Sequence, residues 1–294
     1  MTPRDHPGLG MGVMALAMLL LPMGDAITKA LTAVAPPFEV TVWRATAQAL
    51  WFVPVALVLR RRLGGPLVTR AAVLSGVCLI GVSFCLISAF QHMPIATAIA
   101  IFFLEPLLLT LLAGPLLGEV PGPRRLAAVG LGLVGALVVI RPNFAVYGPV
   151  TLMPVLAALL YALNVVVMRS ATRRQSALSL QIGAAACAAV LGLAALAGAW
   201  ALGRTPANLM HAPSWAQFAI VGAGALAAVT FLMITQAFSL AEASMLAPLQ
   251  YLEIVGATVI GWLVFGDLPD GWTWVGTAII LSAGLYVWHR ERQA

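Results

Sequence analysis

Charge is scarce in this sequence: only 9% of its 294 residues are Asp, Glu, Lys or Arg, where soluble domains carry about 25%. With 62% hydrophobic residues and a mean hydropathy of +1.00, that scarcity excludes a soluble fold and predicts an integral membrane protein. Short alternating segments are missing too, which excludes a transmembrane barrel. The apolar runs are continuous and roughly twenty residues long, as spanning helices require, and helices satisfy their own backbone hydrogen bonds in hydrocarbon. Cysteine is sparse: Cys78, Cys85 and Cys187 sit inside apolar runs without ligand spacing and read as small packing residues. No GxxxxGK[ST] phosphate loop occurs, so nucleotide hydrolysis is not expected of this chain. His6, His92, His211 and His289 fall outside the apolar runs or at their ends. No buried nucleophile–base pair or metal spacing appears, which argues against an intramembrane enzyme. Neither a cofactor nor a metal is expected.

Breaking the chain at Pro, Gly and charge clusters predicts ten spans near 11–33, 39–59, 71–91, 94–117, 124–140, 147–168, 177–202, 213–238, 242–265 and 271–289. The first follows Arg4 as a signal peptide would, but it is long and lacks an A-x-A site, so it is read as a span. With ten crossings both termini share a side. That side gathers Arg4, Arg60, Arg61, Arg62, Arg70, Arg124, Arg125, Arg169, Arg173, Arg174, Arg290 and Arg292, against Arg141 and Arg204 in opposite loops. The positive-inside rule then places both termini in the cytoplasm. The net charge of +6 belongs to these loop arginines, so the expected partners are a lipid bilayer and a small-molecule substrate, not nucleic acid. Trp43, Trp51, Trp215, Trp272, Trp274 and Trp288 lie near span ends, where interfacial anchoring is the default.

An offset of 148 residues, without gaps, lays "AFQHMPIATAIAIFFLEPLLLTLLAGPLLGEVP" on "AFSLAEASMLAPLQYLEIVGATVIGWLVFGDLP". Glu105 meets Glu253, Thr110 meets Thr258, Gly118 meets Gly266, Glu119 meets Asp267 and Pro121 meets Pro269. Five spans separate the partners, an odd number, so the copies run in opposite directions. Inverted-topology repeats are a signature of secondary transporters, with the substrate site at the repeat interface near mid-membrane. The expected fold is therefore all-α, with ten transmembrane helices in two inverted five-helix repeats, 1–142 and 143–294.

The stretches "ATAIAIFFLEPLLLTLLAGPLLGE", "RRLAAVGLGLVGALVVIRP" and "LAPLQYLEIVGATVIGWLVFGDLPDGWTWVGTAIILSAGLY" resemble the EamA-type family of the drug/metabolite transporter superfamily. Within it they are similar to the bacterial branch of S-adenosylmethionine and riboflavin uptake carriers. The resemblance implies a central cavity lined mainly by spans 1, 3, 4, 6, 8 and 9, with spans 5 and 10 peripheral. One departure is Asp25 in "MGDAITKAL", where many members carry a neutral polar residue.

A charge at mid-bilayer costs about 2.5–3.5 kcal/mol on insertion scales, so it needs a partner or a task. The spans hold three acids, Asp25, Glu105 and Glu253, against two bases, Lys29 and Arg44. One acid is left for a proton or a cationic group. Phe102 lies one helical turn from Glu105, and Gln250 one turn from Glu253, suiting a flat or amide-bearing ligand. Pro106 frees the Phe102 carbonyl and Pro248 that of Ser244. Glu105, in the drier surroundings, is expected to carry a proton; Glu253, beside Gln250 and Tyr251, is expected to meet the substrate. Asp25 and Lys29 have the spacing of an intrahelical ion pair, and Asn164 falls on span 6 near the place Asp25 holds on span 1. Trp43, next to Arg44, completes the candidate binding set. Pairing of the acids purely as helix ties is the competing reading. Gly130, Gly132, Gly135, Gly276 and Gly284 make small faces for close helix packing. The expectation is a carrier of a small polar metabolite, cationic or zwitterionic, acting as a monomer or weak homodimer, with protons as a candidate coupling ion. The alternatives are an exporter of amino acids or drugs, a channel, or an intramembrane enzyme.

Overall fold

The computed structural model describes residues 6–117, 122–171, 175–203 and 212–291. Arg4, Arg173, Arg174, Arg204, Arg292 and His211, and the repeat positions Gly118, Glu119 and Pro121, lie outside the described residues. Every regular element among the described residues is helical. The α-helices are α1 (Pro7–Leu31), α2 (Pro37–Val58), α3 (Arg70–Phe90), α4 (Ile95–Phe102), α5 (Glu105–Leu117), α6 (Pro123–Tyr147), α7 (Met153–Ala171), α8 (Ala177–Ala201), α9 (Ser214–Leu240), α10 (Ala243–Leu246), α11 (Leu252–Phe265) and α12 (Gly271–Glu291). Short 3-10 turns cover Arg60–Arg62, Gly148–Leu152 and Ala247–Tyr251.

Local chemistry starts these helices. Pro7, Pro37 and Pro123 open α1, α2 and α6, where a missing N–H costs nothing. Thr69 caps α3 by accepting from the Ala72 amide, and Ser176 caps α8 by accepting from the Ser179 amide, each satisfying an orphan donor.

Eight stretches of the described residues are long and apolar enough to cross a bilayer. Ten were expected. The difference arises partly because 124–140 and 147–168 run on as one apolar stretch of 46 residues, 126–171, about twice what one crossing needs. Within it α6 ends at Gly148, whose φ of +69° suits a residue without a side chain. Arg141, expected in a loop, instead lies inside α6, because that helix runs on through Pro142 to Tyr147. The other difference is α12, which is helical over 21 residues but is not among the eight.

Two spans are broken where one helix each was expected. A turn at Phe103–Leu104 separates α4 from α5, and the 3-10 turn Ala247–Tyr251 separates α10 from α11. Pro106 cannot donate to the Phe102 carbonyl, and Pro248 sits within the second break, so the ladder is interrupted in both places.

The helices pack in matching pairs. α1 lies on α9 and α11, while α7 lies on α3 and α5. α2 packs on α9, and α8 on α3; α2 also meets α8, and α6 meets α12. The α6–α12 seam is made of glycine: a methyl on Gly276 would come within 2.6 Å of the Gly135 carbonyl, and one on Gly135 within 3.0 Å of the Gly276 carbonyl. Close packing was expected of both. Leu57, Leu137, Phe218 and Leu263 stand exposed on outer faces, as side chains in contact with lipid do.

Candidate functional site

A cavity of about 1140 Å³ runs through the helices, slightly above the usual range for small-molecule sites of about 300–1,000 Å³. Asp25, Arg44, Phe102, Glu105, Asn164, Gln250, Tyr251 and Glu253 all line it. Its wall extends to Arg169, Ala177 and Glu242, which are exposed. The cavity thus reaches solvent at the end where α7 and α9 finish and α8 begins.

The broken spans position the two glutamates. Glu105 is the first residue of α5 and Glu253 the second of α11. Each carboxylate therefore belongs to the first turn of a helix that restarts inside a span. The helix dipole favours negative charge there, and discontinuous helices of this kind build midplane sites in transporters. Two aromatic contacts floor the site: Phe102 meets Tyr161 edge-on at 5.6 Å between centroids, and Phe103 meets Tyr251 at 5.3 Å. The Tyr251 hydroxyl fills the space a side chain would take at Gly284. Gly284, expected only at a helix seam, therefore also borders the cavity.

Three acids and one base from the spans meet here without joining. Among the described residues, the side chains of Asp25, Glu105 and Glu253 make no hydrogen bond or ion pair. Arg44 donates from Nη1 to Ser83 Oγ at 3.2 Å, while its buried Nε has no partner. Arg44 and Asp25 feel each other's charge but form no ion pair. Asn164 is 2% exposed and is held by the Ser75 hydroxyl, which donates to its Oδ1 at 2.5 Å.

Both glutamates are deeply buried, and their charged neighbours differ. Glu105, expected to be drier, has the positive Arg169 within electrostatic reach. Tyr251, expected to serve Glu253, lies closer in effect to Glu105. Glu253 instead shares its surroundings with a second acid, Asp25. The cause is three-dimensional: α5 packs on α7, which carries Arg169, whereas α11 packs on α1, which carries Asp25.

Two candidate binding residues are placed off the cavity wall. Lys29 does not pair with Asp25. Its Nζ lies 2.5 Å from Asp267 Oδ2, donates to the Met93 carbonyl at 3.0 Å and sits over the Phe265 ring. At the end of α1 the side chain finds a better cluster of partners than its neighbour one turn back. Trp43 packs against the cluster of Leu31, Val40, Ile87 and Ala216, about 100° around α2 from Arg44. Sequence reasoning missed Tyr161, within electrostatic reach of both glutamates, although it shares a helix face with Asn164 three residues on. It also missed Gln48 and Gln181 on the wall; an isolated glutamine in an apolar run was the available signal.

The sequence profile of the EamA-like transporter family matches residues 8–141 and again residues 149–288. The chain is 32% identical over 208 residues to a riboflavin transporter of Rhizobium johnstonii, covering 70% of this chain and 65% of that protein. It is 30% identical to an S-adenosylmethionine uptake transporter of Rickettsia bellii, covering 68% of this chain and 66% of the relative. The matches thus span a little under two thirds of the length of these two curated relatives. A pseudopaline exporter of Pseudomonas aeruginosa is 26% identical across 93% of this chain and 94% of its own. One solved crystal structure superposes with a TM-score of 0.60 at 20% identity, covering 95% of this chain and 96% of the other, a likeness of fold.

Proposed function

The chain belongs to the EamA-like transporter family, and from that premise we propose that it is a secondary carrier of a small polar organic metabolite, cationic or zwitterionic. It works by alternating access in the bacterial cytoplasmic membrane, with both termini in the cytoplasm. The observation that carries this reading is the pair of glutamates. Glu105 and Glu253, 148 positions apart in the sequence, each begin a restarted helix and face one cavity. Carboxylates that have no ion-pair or hydrogen-bond partner among the described residues are costly at that depth unless a ligand or proton meets them.

Ten crossings in two inverted repeats, divided at 142/143, are supported by the two profile matches and by the paired packing of α1 with α9 and α7 with α3. In this arrangement 126–171 crosses twice and reverses at Gly148, and α12 makes the last crossing. The solutes named for the relatives, riboflavin and S-adenosylmethionine, carry flat rings. Phe102, Tyr161 and Tyr251 on the wall suit such rings. Uptake is the leading direction. Export is a second reading, favoured by the exporter relative that matches over nearly the whole chain. With Lys29 committed to Asp267, the surplus of acid over base on the wall favours a positive group on the solute, or a proton that travels with it.

The test is a thermal-shift screen of metabolites on purified protein, followed by uptake into proteoliposomes without nucleotide. Saturable exchange down a gradient is expected. A strict nucleotide requirement, or conduction without saturation, would overturn the carrier reading.

A further inference from the structure

Of the sixteen Lys and Arg residues in the chain, one is a lysine, Lys29, and it lies inside a span. Its ammonium ties both broken spans at one end of the molecule. It pairs with Asp267, just after α11, and donates to the Met93 carbonyl, just before α4, with the Phe265 ring beside it. Asp25 stands one turn back on α1. Its spacing and order, acid before base, are those that favour an ion pair along a helix. Asp25 nonetheless lines the cavity with no ion pair among the described residues. The second half of the chain shows that such a contact can form. Asn164 and Met168, also four apart, occupy the matching stretch of α7, and Asn164 Nδ2 reaches Met168 Sδ at 3.6 Å. Lys29 thus has two candidate acids and holds the one off the cavity wall. A lysine suits a change of partner, because its charge is compact and its donors rotate, whereas a guanidinium fork is committed to one geometry.

We propose that Lys29 is a switching cation: it holds Asp267 when the cavity is shut at the outer end, away from Arg169 and Glu242, and Asp25 when that end is open. The positive group of the solute controls the switch by occupying Asp25. With Asp25 empty the two acids compete for one ammonium, and both states are populated. A solute cation on Asp25 removes the competition, so Lys29 stays on Asp267 and the outer end stays closed around the cargo. The Asp25–Lys29 pair that the sequence suggests then belongs to the outward-open state. This rests on the transporter reading and adds to it the residues that couple solute binding to closure.

The test exploits the single lysine: full-length protein labelled with 13C at lysine Cε gives one such signal, from Lys29. Asp25→Asn should leave Lys29 with Asp267, and Asp267→Asn should leave it with Asp25, so the two variants define the end points. The parent should show both signals or an average between them. A thermal-shift panel of the standard amino acids, putrescine, S-adenosylmethionine and riboflavin selects the solute. The most stabilising solute with a positive group should move the parent signal to the Asp25→Asn position and leave Asp25→Asn itself unmoved. Riboflavin, which has no positive group, should not move it. In right-side-out vesicles, with Cys78, Cys85 and Cys187 replaced by alanine, the same solute should slow labelling of Leu86→Cys, on the cavity wall, by an impermeant thiol reagent. A slowing of up to about fivefold is expected, the most that one partly exposed pair is worth. Asp25→Glu should keep the response and carries the test if Asp25→Asn fails to fold. One signal common to the parent, Asp25→Asn and Asp267→Asn, or a signal and labelling rate untouched by a bound cation, overturns the switch and leaves the carrier intact. So does riboflavin as the sole solute bound. If no solute in the panel stabilises the protein or enters proteoliposomes, the carrier reading falls and control by cargo falls with it.

Discussion

Lys29 Nζ lies 2.5 Å from Asp267 Oδ2, joining the last turn of α1 to the segment after α11, while its bond to the Met93 carbonyl holds the connection between α3 and α4. Three chain segments are tied at the end of the molecule away from exposed Arg169 and Glu242. Lys29 stands off the cavity wall, and the tie is expected to close that end. Asp267→Asn should cost only about 1 kcal/mol of stability, because the acid is 32% exposed and such pairs are screened. Its larger effect should be on access. A cysteine placed at Thr28, on the wall just inside, should react faster with an impermeant thiol reagent in Asp267→Asn cells than without that change. Equal labelling rates would show that the tie does not close the cavity.

The reversal at Gly148 gives a second expected outcome. A reporter inserted after Gly148 should read external, and one fused after Ala294 cytoplasmic. Both on one side would mean that 126–171 does not cross twice or that α12 does not make the last crossing.

Much of this arrangement was legible in the sequence, and the rest was hidden for physical reasons. Span positions follow from continuous apolar runs punctuated by proline, which is why α3, α8 and α11 end within a few residues of their expected bounds. Glu105 and Glu253 stood out because an acid in hydrocarbon is expensive and both occur at one offset. The interruption near Pro106 was readable from its missing donor, but the helix restart that puts Glu105 in a first turn was not. Partners distant along the chain were invisible. Spacing offered Asp25 to Lys29, while folding offered Asp267, 238 residues away. Trp43 and Arg44 are adjacent in sequence, yet Trp43 packs against an apolar cluster while Arg44 lines the cavity. Gln181 could be noticed as a polar residue in an apolar run; only the fold shows that it lines the cavity.

The glycine seam makes a stability prediction. In Gly276→Ala the new methyl would meet the Gly135 carbonyl and the Val139 amide, both backbone atoms that cannot move aside without shifting α6. A loss of about 1–3 kcal/mol is expected, typical of overpacking. Gly130→Ala, with nothing within 4 Å of the added carbon, should be neutral by thermal unfolding in the same detergent. Equal Tm values for the two variants would show that the seam can open freely.

The two glutamates should behave differently despite their symmetry, because folding gave them different neighbours. Glu105 is reached by the positive charge of Arg169 and stands near Tyr251. It is equipped to present a carboxylate to a positive group on the solute. Glu253 shares its surroundings with Asp25, and the charge of Arg44 acts on that acid. Two acids to one base leave room for a proton to enter and leave as transport proceeds. Glu105→Gln should therefore weaken solute binding by roughly 1.5–3 kcal/mol, the value of a charge-assisted hydrogen bond, and preserve the pH dependence of whatever transport remains. Glu253→Gln should keep binding within a few-fold and flatten the transport rate across pH 5.5 to 8.5, a window chosen to span about one unit or more on either side of neutrality. Calorimetry and proteoliposome uptake across that series separate the outcomes. If the effects are exchanged, the proton travels on Glu105 and the neighbours named here do not set the roles. If both variants bind and transport as the parent does, the glutamates are helix ties and the solute is held by the aromatic rings and Arg44.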